Sequence, residues 1–240
     1  MSKERLNLML DQKIAASILD LRHNILAAEA LYHREPNSVT LLGVSKGQSA
    51  DKIRAAYHAG IKNFGESYIN EFIQKQESLI DLPVIWHFIG PVQSNKIKII
   101  ARHFSWAHSL DNIAHAQKLS QNRMDSQPPL NLCIQVNLDQ EPNKSGLNSE
   151  DLPGFMQQLE GLTGIRLRGL MCLPKPEIDP DQQYQSFMRL TEIFNQINTG
   201  RTIKLDTLSM GMTLDYTQAI RAGSTLIRIG RGLFNAYPSA

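Results

Sequence analysis

The sequence predicts an α/β fold: a single (β/α)8 barrel of the TIM barrel type, preceded by a long N-terminal helix. Three observations carry that prediction. The chain is 240 residues long, close to the roughly 250 that one such barrel occupies. From residue 40 onward, short apolar runs alternate with helical patterns, the rhythm of βαβ units and a parallel sheet. Eight such runs fit between residues 40 and 230, and evenly spaced parallel strands in that number close on themselves.

The elements follow in order. Between Glu4 and about His33 apolar residues recur at helical spacing (Leu6, Leu8, Met9, Ile14, Ile18, Leu21, Ile25, Leu26, Ala30), which makes one long amphipathic helix. REPNSV then breaks it with a proline and turn residues. Strands are expected at 40–45, 63–65, 85–89, 106–109, 130–138, 167–172, 207–210 and 225–229. Helices are expected near 49–59, 66–78, 93–102, 111–124, 149–160, 181–198 and 213–222, with a last one from about Leu233. Ser49, Asp111 and Ser149 are placed to cap three of them, each offering a side-chain oxygen to the free N–H groups of a first turn. No internal repeat or interdomain linker is visible, so residues 1–240 read as one domain, and PKPEIDPD at 174–181 reads as a βα loop.

Composition narrows the function. Hydrophobic residues at 42% and charged residues at 20% are ordinary for a packed protein. A formal charge of +2 lacks the basic excess of a nucleic-acid surface, so no nucleic-acid partner is expected. The first residues are charged throughout and no apolar run is long enough to span a bilayer, so a cytoplasmic location and no membrane partner are expected. Cys133 and Cys172 each sit in an apolar strand-like run and read as small core residues. His103, His108 and His115 lack the placement of a metal set, so no metal is expected.

In such a barrel the βα loops gather at the carboxyl ends of the strands, so chemistry is sought there. That filter selects Lys46, Glu66, the Gly90-Pro91 turn, His108 with Ser109, Asn137, Met171, Ser209 with Met210, and Gly230. Lys46 follows LLGVS, which sets its amine at the mouth above apolar layers. Burial there disfavours the ammonium and suits a nucleophilic amine; strand context alone favours a solvated loop lysine. In LSMGMTLDYTQAI and GSTLIRIGRGLF, small residues at strand ends and a following helix start offer backbone N–H groups to an anion. Ser209 adds a hydroxyl and Arg228 a guanidinium; the bland alternative makes the glycines mere turns and pairs Arg228 with a core carboxylate. Trp86, His87 and Phe88 read as barrel packing rather than catalysis. Lys144, in NKSG after the fifth strand, suits either a solvated loop or a second amine facing the mouth.

These residues also carry a resemblance. VSK (44–46), NFGESYINE (63–71), WHFIGPVQSNK (86–96), HSLD (108–111), QVNL and NKSGL (135–147), RLRGLMCLP (166–174), LSMGMTLDY (208–216) and AGSTLIRIG (222–230) resemble the YggS/PROSC family of pyridoxal 5′-phosphate (PLP) homeostasis proteins. The match runs in order from about residue 40 to residue 234. It implies a fold like the N-terminal domain of alanine racemase, a fold-type III PLP barrel without its C-terminal β domain. It also implies PLP held as a Schiff base on Lys46. The family's phosphate site falls on Ser209, Met210 and Gly211 and on Arg228 and Gly230, and Asn63 with the NFGE segment falls near the cofactor ring. Three departures stand out: SKGQ where relatives often read SKTK, FGESY for FGENY, and RIGRGLFN for RIGTAIFG. They place Gln48, Ser67 and Arg231 at positions near the expected site.

Three functions compete. The resemblance implies a non-catalytic PLP carrier, a monomer that buffers the cofactor or passes it to PLP-dependent apo-enzymes. A barrel racemase would need acid/base groups on both faces of the ring, and only Lys46 can be nominated. It would also add a C-terminal β domain, whereas this chain ends six residues after Phe234. A scaffold that keeps the barrel for protein contacts is the third reading. The carrier is the expectation.

Overall fold

The computed structural model describes residues 3–139, 141 and 144–234. Eight parallel strands close into a barrel in sequence order, β1 beside β8. They are β1 (Thr40–Val44), β2 (Asn63–Glu66), β3 (Ile85–Phe88), β4 (Trp106–Leu110), β5 (Leu130–Val136), β6 (Ile165–Cys172), β7 (Thr207–Ser209) and β8 (Leu226–Ile229). The helices are α1 (Lys3–Leu31), α2 (Ala50–His58), α3 (Ile69–Ser78), α4 (Ile97–His103), α5 (Ile113–Asn122), α6 (Leu152–Leu159), α7 (Pro180–Asn198), α8 (Tyr216–Arg221) and α9 (Arg231–Phe234). Every expected strand is present, with ends shifted by two residues at most. No helix among the described residues is long and apolar enough to cross a membrane.

Helix α1 forms because Ile14, Ile18, Leu21, Ile25 and Ala28 recur every three or four residues, and that stripe is buried against α2, α8 and α9. Its buried Glu29 ties it to the start of β1. The carboxylate accepts from Asn37 N and Val39 N, both at 2.9 Å. Ser49 caps α2 as expected, accepting from Lys52 N. The α5 cap is Asn112, not the expected Asp111: its Oδ1 accepts from Ala114 N and His115 N. Asp111 is drawn away to accept from Gly146 N at 3.1 Å. Ser149 opens a 3-10 turn and caps nothing with its side chain.

The main core lies between strands and helices. Phe64, Phe72, Phe88, Phe104 and Phe187 are wholly buried there, and Phe72 and Phe104 stand 4.2 Å apart ring to ring. Truncating such a residue to alanine costs about 3–5 kcal/mol. Inside the barrel, Leu42, Cys133, Met171 and Leu226 are buried apart from that cluster. Gly169 is obligatory where β6 crosses β7, because a Cβ there would lie 1.7 Å from Thr207 O.

The ladders are uneven. β5 and β6 pair from Leu130↔Ile165 to Val136↔Cys172. β7 meets β8 through the Ser209↔Leu226 pair, beyond which Met210 N donates to Leu226 O and Arg228 N donates to Gly211 O. Hydroxyls fill in at this join: Ser224 Oγ lies 2.7 Å from Met210 O, and Thr225 Oγ1 accepts from Leu208 N.

Candidate functional site

At the end of β1 the chain turns through Ser45, Lys46 and Gly47. The turn is held from behind by a buried carboxylate. Glu66, the last residue of β2, has no solvent exposure, and its Oε1 accepts from Ser45 Oγ at 2.6 Å and Lys75 Nζ at 2.7 Å. Lys75, nearly buried on α3, also donates to Ser45 O at 2.8 Å and to Glu71 Oε2 at 2.9 Å. Glu71 in turn accepts from Gly47 N at 2.8 Å. Burial pushes the Glu66 carboxyl up, against the pull of Lys75 and Ser45. The Gly47 amide and Lys75 hold Glu71 below the usual carboxylate range. The backbone on both sides of Lys46 is thereby fixed. Lys46 follows the end of β1, as expected, but it is exposed rather than desolvated there.

Across the β1–β8 pairing, Gly230 approaches Val44: a Cβ on Gly230 would meet Val44 Cβ and Val44 O at 3.5 Å. Gly230 precedes α9 and accepts from Leu233 N and Phe234 N, which leaves Arg231 N and Gly232 N without a hydrogen bond among the described residues. Gly211, after β7, adopts a φ of 94° and makes no N–H hydrogen bond among the described residues, while its O accepts from Arg228 N. Met210 is wholly buried in the core.

Arg228 points inward from β8. Its Nη1 donates to Ser209 O at 2.6 Å and Ser209 Oγ at 2.8 Å, and its Nη2 donates to Cys172 O at 3.0 Å. The guanidinium therefore sits at the carboxyl ends of β6 and β7, and no carboxylate among the described residues pairs with it directly. Burial lowers the guanidinium from its ordinary value. Three of its N–H groups are used; Nε and one Nη2 hydrogen have no partner among the described residues, and guanidinium carries five. The Ser209 hydroxyl also lies 2.9 Å from His108 Nδ1. It is turned into the barrel and shared between Arg228 and His108.

One expectation is corrected here. Asn63 opens β2, so in a parallel barrel it stands at the amino end, opposite to Lys46, and its Oδ1 lies 3.0 Å from His87 Nε2. Glu66 and the following Ser67 hold the mouth end of that strand. His87, read from the sequence as barrel packing, is buried and its ring stacks on Trp106 at 5.4 Å and 8°, with both its nitrogens hydrogen-bonded. The signal was strand parity, since His87 and His108 fall on the side of their strands that turns into the barrel.

The mouth has a cavity of about 290 Å³ on the β3–β6 side, lined by Ile89, Ser109, Gln135, Asn137 and Lys144 among others. Lys144 is half-buried there and paired with Glu141 at 3.1 Å, so it is a mouth-side amine held by a carboxylate. Arg231 is exposed. The Cys133 and Cys172 thiols are both pushed up to about 12 by burial and are inert core residues. No group of three metal-ligating side chains occurs among the described residues.

Residues 17–238 match the family described as alanine racemase, N-terminal domain. The chain is 46% identical over 223 residues to the pyridoxal phosphate homeostasis protein of Pseudomonas aeruginosa, covering 93% of this chain and 95% of that one. It is 40% identical over 226 residues to the protein of that name from Escherichia coli K12, covering 93% and 96%. Its fold is similar to that of PipY from Synechococcus elongatus PCC7942, solved with PLP bound, with a TM-score of 0.81, 34% identity and coverage of 92% of this chain and 100% of that one.

Proposed function

The chain belongs to the alanine racemase N-terminal domain family and, within it, to the pyridoxal phosphate homeostasis proteins, and on that premise we propose that it binds PLP at the barrel mouth and holds it on Lys46. The observation that carries this reading is the pairing of an exposed amine on a clamped turn with a buried, under-used guanidinium at the same end of the barrel. When bound, PLP supplies an aldehyde that a lysine amine joins reversibly with release of one water.

The chain's own residues fit the rest of the molecule. Gly211 N–H, with Arg231 N and Gly232 N at the start of α9, would offer the donors for an anion, since none of the three makes a hydrogen bond among the described residues. The Arg228 guanidinium, with two donors to spare, lies at the carboxyl ends of β6 and β7. The Ser209 hydroxyl acts by steering Arg228, since Arg228 and His108 already occupy it. The Glu66–Lys75–Glu71 clamp fixes where the Lys46 backbone sits.

Such a site supports storage and hand-over of PLP better than turnover. Lys46 is the one amine at the end of β1, it is open to water, and the neighbouring acids are spent on the clamp; a carbanion would be quenched there. Buffering of free PLP and delivery to PLP-dependent apo-enzymes is the role proposed, by a monomer in the cytoplasm. The test is borohydride reduction of PLP-loaded protein followed by peptide mapping. A pyridoxyl label on Lys46, with no visible absorption from loaded Lys46→Ala, is the expected result. A label on another lysine in wild type overturns the assignment.

A further inference from the structure

A chain of hydrogen bonds crosses the barrel interior from floor to mouth. Asn63 Oδ1 lies 3.0 Å from His87 Nε2, and His87 Nδ1 lies 2.9 Å from His108 Nε2. His108 Nδ1 lies 2.9 Å from Ser209 Oγ, which Arg228 Nη1 reaches at 2.8 Å. β4 and β7 are not neighbours in the barrel, so the His108–Ser209 link must cross its hollow. At the floor the chain begins in a polar cavity of about 300 Å³ lined by Thr40, Asn63, His87, Arg168, Asp206 and Thr207 among others.

The partners give the chain a direction. Asn63 Oδ1 can only accept, so His87 Nε2 carries the hydrogen. In a neutral ring His87 Nδ1 is then bare and accepts from His108 Nε2–H. His108 Nδ1 is bare in turn and takes the Ser209 hydroxyl hydrogen, which leaves Ser209 Oγ to accept from Arg228. Turning the Asn63 amide over reverses the order and fails at the other end: Ser209 Oγ would face two donors, with its own hydrogen unplaced.

We propose that Asn63, His87 and His108 are positioning residues, forming a one-way chain of donors that sets the Ser209 hydroxyl and, through it, the seat of the Arg228 guanidinium. Neutral rings are what burial enforces: it pushes His87 down to about 3 and His108 well below its ordinary value, the latter helped by His87 and Arg228. None of the three residues reaches the mouth, so their influence on a ligand passes through Ser209 and Arg228. The ligand half of this proposal rests on the PLP reading above; the polarity half does not.

The experiment has an arm for each half. Long-range 15N spectra of the protein without PLP should show both rings with Nε2 protonated and Nδ1 bare. No titration should occur between about pH 5 and about pH 8, the window of an ordinary histidine. A ring protonated on Nδ1, or one that titrates in that window, overturns the polarity. Asn63→Leu, at the half-exposed floor, should blur the His87 tautomer and weaken the hold on PLP about three- to tenfold, the scale of one lost hydrogen bond. His108→Leu should do the same, and His108→Gln, whose amide keeps a donor and an acceptor, should restore most of the hold. If Asn63→Leu lowers the melting temperature while its hold on PLP stays at the wild-type level, the chain is only packing and the proposal falls. Should His108→Leu fail to fold, the floor variant still decides. Should wild type take up no PLP, the binding reading fails and the ring spectra still decide the polarity.

Discussion

On the β1–β2 side of the mouth, a cation stands in solvent and its support is buried: Lys46 is exposed, while Glu66 and Lys75 behind it are almost fully covered. On the β7–β8 side, the cation itself is buried and the surface residue beside it, Arg231, is the exposed one. The support differs too. The lysine turn is held by ion pairs to two carboxylates, whereas Arg228 is held by carbonyls and a hydroxyl backed by two neutral histidines. A reactive amine must be reached and must move, so only its backbone is fixed. A cation that orients a ligand must not move, and its desolvation leaves spare donors that water would otherwise weaken.

That contrast can be broken at four points. The largest effect is expected at Lys75→Met, which strips Glu66 of its buried partner and should cost about 3 kcal/mol of stability, the scale for breaking a buried pair. Urea unfolding reads it, and amide exchange at Gly47 should quicken while Arg228 N stays protected. Next, Arg228→Gln keeps donors and removes the charge, so the hold on PLP should weaken about ten- to hundredfold, the worth of a charge-assisted bond. Pyridoxal without its phosphate serves as the control, and an unchanged PLP titration would make the guanidinium purely structural.

The third point is acid. Both buried histidines sit below the unfolded value of about 6.5, with His87 near about 3 in the folded protein. The stability tied to their neutral rings is therefore complete above the unfolded value and is lost as pH falls below it toward the folded ones. The loss is about 1.4 kcal/mol per pH unit for each ring, and His87→Gln should flatten the acid limb of a urea-midpoint profile. The smallest effect is expected at Arg231→Thr: an exposed guanidinium contributes little, so PLP titration should change by no more than about twofold.

The barrel was legible in the sequence because its strands are short apolar runs bounded by turn chemistry, and because Lys46, Ser209 and Gly230 stand where such runs stop. Legibility failed where two readings share one local pattern. Asp111 and Asn112 are both good caps in adjacent positions, and the choice falls to Gly146 N, which claims Asp111 from a distant loop. Asn63 lies in the same short motif as Glu66, but four residues of parallel strand separate floor from mouth. His87 and His108 stayed hidden because strand alternation shows which residues share a face, and only closure of the barrel shows that these two faces look at Ser209. The clamp was half visible: Glu71 and Lys75 have the i,i+4 spacing of a helical ion pair. Glu66 had to be brought to them by the turn between β2 and α3.

The join between β7 and β8 has a consequence for how the molecule breathes. A barrel opens first where its staves are least nailed, and here a three-residue strand meets its neighbour at Ser209↔Leu226 and then departs from regular pairing. Closure at this stave relies on hydroxyls from Ser224 and Thr225 and on the Gly211 carbonyl. An anion drawn to Gly211 on one stave and to the α9 amides on the next would rivet the two together. A ligand seated there would double as a hoop, so its loss and the loosening of the barrel would be one event, and the empty barrel would be the more pliable state.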